Sequence, residues 1–182
     1  MPEKKLMSAL LALALLCGCG TSSSRSTDAD AANYKTYYQT VSSNKDWTDG
    51  SYYFSLSGEM AKVEDDSYRY YVFLDNARIA MYDIAVIAVE NDAPYDENAK
   101  MMPNIGIMGS GVYTMIPNQY NPNRGFVKGL VISGESDSDS IDLKVLVEWR
   151  DKDLENVQRQ FIQFTLTTDG WVSNSSPQEV QM

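Results

Sequence analysis

The chain has 182 residues, 15 Lys and Arg against 25 Asp and Glu, no histidine and two cysteines, for a formal net charge of −10. An apolar fraction of 43% suffices for one packed domain and excludes a wholly disordered chain. The acidic balance argues against nucleic acid as a partner, because phosphate binding needs clustered Lys and Arg, and the lack of histidine removes every His-based triad and His-ligated zinc or haem site.

Residues 1–18 read as a signal peptide. Lys4 and Lys5 supply a positive start, Leu6 to Leu16 is an apolar run, and a small-residue site at Gly18 follows. Eleven apolar residues are too few to span a bilayer, which takes about 20 in a helix. Leu16-Cys17-Gly18-Cys19 resembles the lipobox of bacterial lipoproteins, with leucine three residues before the modified cysteine and a small residue just before it. The resemblance implies a diacylglycerol thioether on Cys19 and loss of residues 1–18. Cys17 fits less well, because it would put Leu16 at the cleaved bond. Removal of Glu3, Lys4 and Lys5 leaves the remaining chain one charge more negative. Such a body is held to the membrane by acyl chains while anionic headgroups repel its charge, so the folded part is expected to stand off the bilayer.

Residues 19–33 then read as the lipidated cysteine and a flexible tether, since Gly20 to Asn33 is small, polar and almost free of large apolar groups. Aromatic residues begin at Tyr34, and residues 34–172 read as one domain. A short helix around Tyr34–Val41 has little support. Alternation with a period of two dominates afterwards: Tyr52, Phe54 and Leu56; Tyr68, Tyr70, Val72 and Leu74; and Ile141, Leu143, Val145, Val147 and Trp149. Ile84 to Val89 is an uninterrupted apolar run, as a strand buried on both faces requires. Gly111 to Ile116, Gly125 to Ile132 and Val157 to Thr168 are further strand candidates, with Pro117 to Asn123 as a turn. Residues 173–182 read as a flexible tail. About seven strands with alternating faces predict an all-β fold, an antiparallel β-sandwich.

The lipobox, the polar tether and the sandwich together resemble the immunoglobulin-like lipoproteins of Gram-positive bacteria. Gly125 to Ile132, an acidic loop and then Ile141 to Val145 are similar to the paired late strands of those domains. The resemblance implies an immunoglobulin-like fold and a place on the extracytoplasmic side of the cell membrane. It implies no catalytic residues and no cofactor.

Four constellations bear on function. Asp137, Asp139 and Asp142, with Glu135, are calcium candidates, because alternating carboxylates suit a hard cation. The plainer reading is a solvated turn, and the helix–loop–helix calcium spacing is not met. Asp92, Asp96 and Glu97 form a second such cluster. Met101, Met102, Met108 and Met115 invite Cu(I), though methionine is more often flexible filler. Among twelve tyrosines and three tryptophans, Tyr95, Tyr120 and Trp47 are the candidates for a ligand-binding surface, whereas Tyr52, Tyr68 and Tyr70 are expected to pack across the sheet. No GxSxG motif is present, the SxxK spacing occurs only as Ser42 to Lys45, and no carboxylate pair is singled out for glycoside hydrolysis. The expectation is a non-enzymatic lipoprotein that binds a protein or cell-envelope component. A carbohydrate- or solute-binding lipoprotein is the alternative, and a carboxylate-dependent glycan hydrolase a more distant one.

Overall fold

The structure, a computed structural model, describes residues 23–109 and 111–172. Cys19 and the segment 173–182 lie outside the described residues. The chain forms one helix, α1 (Ser23–Ser43), and then the strands β1 (Ser55–Glu64), β2 (Ser67–Asp75), β3 (Tyr82–Glu90), β4 (Asn104–Ile105), β5 (Gly129–Ser136), β6 (Ser140–Arg150), β7 (Val157–Thr167) and β8 (Gly170–Val172). A three-stranded antiparallel sheet in the order β1-β2-β5 packs on a five-stranded one in the order β4-β3-β6-β7-β8. Strands one, two and five thus share one sheet while three, six and seven share the other, the two layers of an all-β sandwich.

The sandwich core follows from the alternation. Ile141, Leu143, Val145, Val147 and Trp149 of β6 and Ile162, Phe164 and Leu166 of β7 point inward and are buried against Tyr70, Val72 and Leu74 of β2. Full burial of each such side chain contributes about 1.5–3 kcal/mol. Strand β3 is apolar on both faces because it serves two cores. Ile84, Val86 and Ala88 face the three-stranded sheet, while Ala85, Ile87 and Val89 face the helix.

That helix corrects the expected tether. Residues 23–33, read from composition as flexible, belong to a helix of 21 residues. Its polar, Ser- and Thr-rich sequence has weak propensity, and tertiary packing holds it instead. Tyr34, Tyr38 and Val41, spaced by four and three, are buried on Ala85, Ile87, Val89 and Leu146. The Tyr38 hydroxyl donates to the Ala93 carbonyl at 2.7 Å, and the Met102 N–H donates to the Tyr34 hydroxyl at 2.8 Å.

Three strand readings are also corrected. The first strand starts at Ser55, not Tyr52, so Phe54 is buried but Tyr52 is 83% exposed. The stretch 111–116 makes only isolated bridges, through Thr114 with Phe126 and Met115 with Met81. The stretch from Gly125 follows a 3-10 turn over Pro122–Arg124 and makes only isolated bridges at Phe126 before pairing with β2 begins at Gly129. Pro122 and the left-handed Gly125 at φ 71° keep this segment out of the ladder.

Candidate functional site

The three ring candidates do not converge. Trp47 packs edge-on against Phe161 at 5.7 Å and carries the Lys144 ammonium 5.3 Å from its ring centre. It lines a polar hollow of about 390 Å³ with Ser42, Asn44, Lys45 and Asp92. Tyr95 is half-buried against Tyr38 and Tyr34, at 5.4 and 6.4 Å, and so completes the helix-side core. Only Tyr120 keeps an open ring, 61% exposed. It borders a pocket of about 500 Å³ with Asn76, Asn118, Gln119 and Lys128, whose ammonium lies 5.5 Å from the ring centre.

Asp92 and Asp142, one from each acidic cluster, come to neighbouring strand ends, and both carboxylates are engaged. The end of β3 and the start of β6 are joined through the Asn91 N–H donating to the Asp142 carbonyl at 2.8 Å and the Asp142 N–H donating to Asn91 Oδ1 at 3.0 Å. The Asp142 carboxylate accepts from the Thr165 hydroxyl at 2.6 Å, and Asp92 is ion-paired with Lys144. Glu135 is paired with Arg69, which holds its carboxyl below the ordinary range. Asp137 and Asp139 sit exposed in the β5–β6 turn. Among the described residues no group of three or more His, Cys, Asp or Glu gathers as a metal cage. The methionines are dispersed as well: Met102 is buried under the helix, Met115 in the sandwich core, and Met101 is 52% exposed.

A contact surface does form on the outer face of the three-stranded sheet. Alternation that turns Tyr70, Val72 and Leu74 inward turns Tyr71 and Phe73 outward, and their rings stack at 6.2 Å with 25° between planes. Phe73 stands opposite Val131, which is 49% exposed, and opposite Ser57 on the other side. A shallow apolar hollow of about 480 Å³ adjoins them, lined by Phe73, Lys128, Gly129 and Val131. In the described sheet β5 is terminal, so its far edge has no strand beside it. Lys100 donates to the Glu135 carbonyl near the end of that edge.

A second surface was missed by the sequence reading. At the end of the sandwich where β3 begins, Tyr52, Tyr53, Ile79, Leu154 and Val157 are 83, 40, 37, 47 and 42% exposed. Tyr53 meets Tyr52 at 6.0 Å and Trp149 at 5.7 Å. Arg78 braces the segment: its guanidinium donates to the carbonyls of Ser51, Tyr52 and Phe54 at 3.3, 2.9 and 3.2 Å, and its N–H donates to the Tyr53 carbonyl at 2.7 Å. Leu154 holds a left-handed φ of 60°, a conformation that costs a leucine about 1–2 kcal/mol and suits Gly or Asn better. The available signals were the run Tyr52-Tyr53-Phe54 after Gly50 and the lone leucine in the otherwise polar stretch Asp151 to Asn156.

Two phenols, buried Tyr70 and half-buried Tyr37, are bonded to carboxylates. The Tyr70 hydroxyl donates to Glu90, itself paired with Lys100 at 3.2 Å. The Tyr37 hydroxyl donates to Glu148, itself paired with Arg159 at 2.6 Å. Burial first, and then the adjacent carboxylate, raises both phenols above the ordinary tyrosine range.

Comparison with protein-family models, curated proteins and solved structures returned no match to this chain. No described helix is long and apolar enough to cross a membrane.

Proposed function

We propose that the protein is a membrane-anchored extracytoplasmic lipoprotein whose sandwich acts as a non-enzymatic binding module for a protein or cell-envelope component. The anchor is read from Leu16-Cys17-Gly18-Cys19, and the binding role from one observation above the others: the stacked, half-buried Tyr71 and Phe73 rings beside exposed Val131, on the outer sheet face next to the terminal strand β5. Stacked rings on a rigid strand lose little entropy when covered, and an uncovered edge offers a row of backbone groups to an extended partner. The carbohydrate alternative draws its support from Tyr120 and the amides of Asn76, Asn118 and Gln119.

The deciding experiment is capture from solubilised envelopes of the native cells, using the full chain and its Tyr71→Ser/Phe73→Ser variant side by side. The proposal expects a partner that the parent retains and the variant loses. Identical capture by the two proteins overturns this surface as the binding face. Loss of glycan binding with Tyr120→Ala, in a titration where the Tyr71/Phe73 variant still binds, would favour the sugar reading.

A further inference from the structure

We infer that, in the anchored protein, the end of the sandwich bearing Tyr52, Tyr53, Ile79 and Leu154 rests on the lipid bilayer, with the acidic end turned away from it. The inference rests on the lipoprotein reading of Cys19 and adds an orientation and a contact surface to it.

The strand register makes the molecule polar from end to end. Tyr82 of β3 pairs with Arg150, Arg150 with Val157, and Asp75 with Ser55, so the β2–β3 and β6–β7 connections and the entry to β1 share one end. That end carries the exposed rings and aliphatic side chains. The turns at the opposite end carry Asp65 and Asp66, Asp92, Asp137 and Asp139, and Asp169. The ring end is electrically mixed, with Arg78, Arg150 and Lys152 among Asp75, Asp83, Asp151, Asp153 and Glu155, and Arg150 lies 3.8 Å from Asp83. One end is therefore suited to a headgroup boundary, where tyrosine is at home. The other is repelled by anionic lipid.

The helix shows which end the anchor reaches. Its C-terminal part lies with Val89 and Asp92, since Val41, Ser42, Val89 and Asp92 line one hollow. Farther back along the helix, Ala29, Asp30 and Asn33 line another hollow with Asp83 and Ile84, at the start of β3. Helix α1 thus runs so that its first residue is at the ring end, and the six residues from Ser23 to Ala29 carry it about 9 Å beyond the level of Ile84. Cys19 precedes Ser23 by four residues, a reach of at most about 14 Å. A lipid on Cys19 is tethered close to the ring end and far from the acidic one.

The ring end is also built as a contact. Arg78 fixes the segment that presents Tyr52 to solvent, and the β6–β7 turn tolerates a left-handed backbone at Leu154 while exposing that leucine. Arg78 also seats the buried Phe54, but the exposed side chains of Tyr52 and Leu154 add nothing to the core. Both are accounted for by a surface that buries them.

The test uses the full mature protein, checked for acyl mass on Cys19 and reconstituted in phosphatidylcholine vesicles with brominated acyl chains. The folded body has no cysteine, so Tyr52→Cys, Leu154→Cys and Asp137→Cys each carry one environment-sensitive dye. The inference expects blue-shifted emission and several-fold stronger bromine quenching at 52 and 154 than at 137. The position-154 reporter keeps the test decisive where the Tyr52 variant folds poorly. Acylated protein that floats with the vesicles yet shows equal, water-like emission at all three positions overturns the orientation and leaves the lipoprotein reading standing. Protein that carries no acyl group and does not float overturns both.

Discussion

Tyr70 on β2 stands directly opposite Gly134 on β5, and its ring occupies the space that a side chain at 134 would fill. A Cβ there would lie 2.4 Å from the Tyr70 hydroxyl oxygen and 2.6 Å from Cε1. Glycine is needed at this position for room, so that a buried tyrosine can lie flat across its neighbour and reach Glu90. Replacing it with alanine overpacks the core, and Gly134→Ala is expected to destabilise the protein by about 1–3 kcal/mol in denaturant unfolding. Tyr70→Leu in the same background is expected to recover part of the loss, a non-additivity that a double-mutant cycle reads directly. Equal unfolding midpoints for Gly134→Ala and the parent would refute the packing argument.

The same tyrosine makes stability sensitive to alkali. Burial, then the bond to Glu90 and its charge, raises the Tyr70 phenol above the ordinary 10.0, and burial followed by Glu148 does the same at Tyr37. Above pH 10.0 the unfolded chain loses these protons before the folded one does. Their contribution is therefore complete below that pH and is lost as pH rises beyond it. The melting temperature should fall between about pH 10 and about pH 12, and Tyr70→Phe should fall less steeply. A parent and a variant with parallel profiles would remove Tyr70 from the explanation.

Helix α1 depends on its tyrosines more than on its propensity. Tyr38 is buried and bonded to the Ala93 carbonyl at 2.7 Å, so Tyr38→Ala leaves a cavity and an unpaired acceptor. The expected cost is about 2–4 kcal/mol, with faster amide exchange along residues 34–41 than in β6. Unchanged protection in the helix would mean that it does not rely on this contact.

Calcium is expected to leave the unfolding temperature unchanged. Asp142 and Asp92 are committed to Thr165 and Lys144, and Glu135 to Arg69, so no shared cage is prepared for the ion. A melting temperature that climbs steadily with calcium concentration would reveal a native-state site and reverse this reading.

The legible parts of the fold were those whose signal is local. The alternation of Ile141 to Trp149 and the apolar run Ile84 to Val89 named a half-buried strand and a doubly buried one, and both are found. The helix was obscured because its buried face is only Tyr34, Tyr38 and Val41, set in a polar segment whose composition matches a linker. Tyr95 read as a loop contact because it follows Pro94, but its ring fills the space beside Tyr34 and Tyr38. Tyr52 read as a packed strand residue because it shares the period of Phe54 and Leu56, while pairing begins only at Ser55.

By itself the sequence determined the class of the body, an antiparallel sandwich, because alternating faces lie in spacing and type along a few neighbouring residues. Tertiary structure alone decided that Tyr71 and Phe73 share the outer sheet face, that Tyr52, Tyr53 and Leu154 gather at the end opposite the turns of Asp65, Asp92 and Asp137, and that the helix begins at the ring end. Those relations join residues tens of positions apart through strand register and helix docking, and no local pattern carries them.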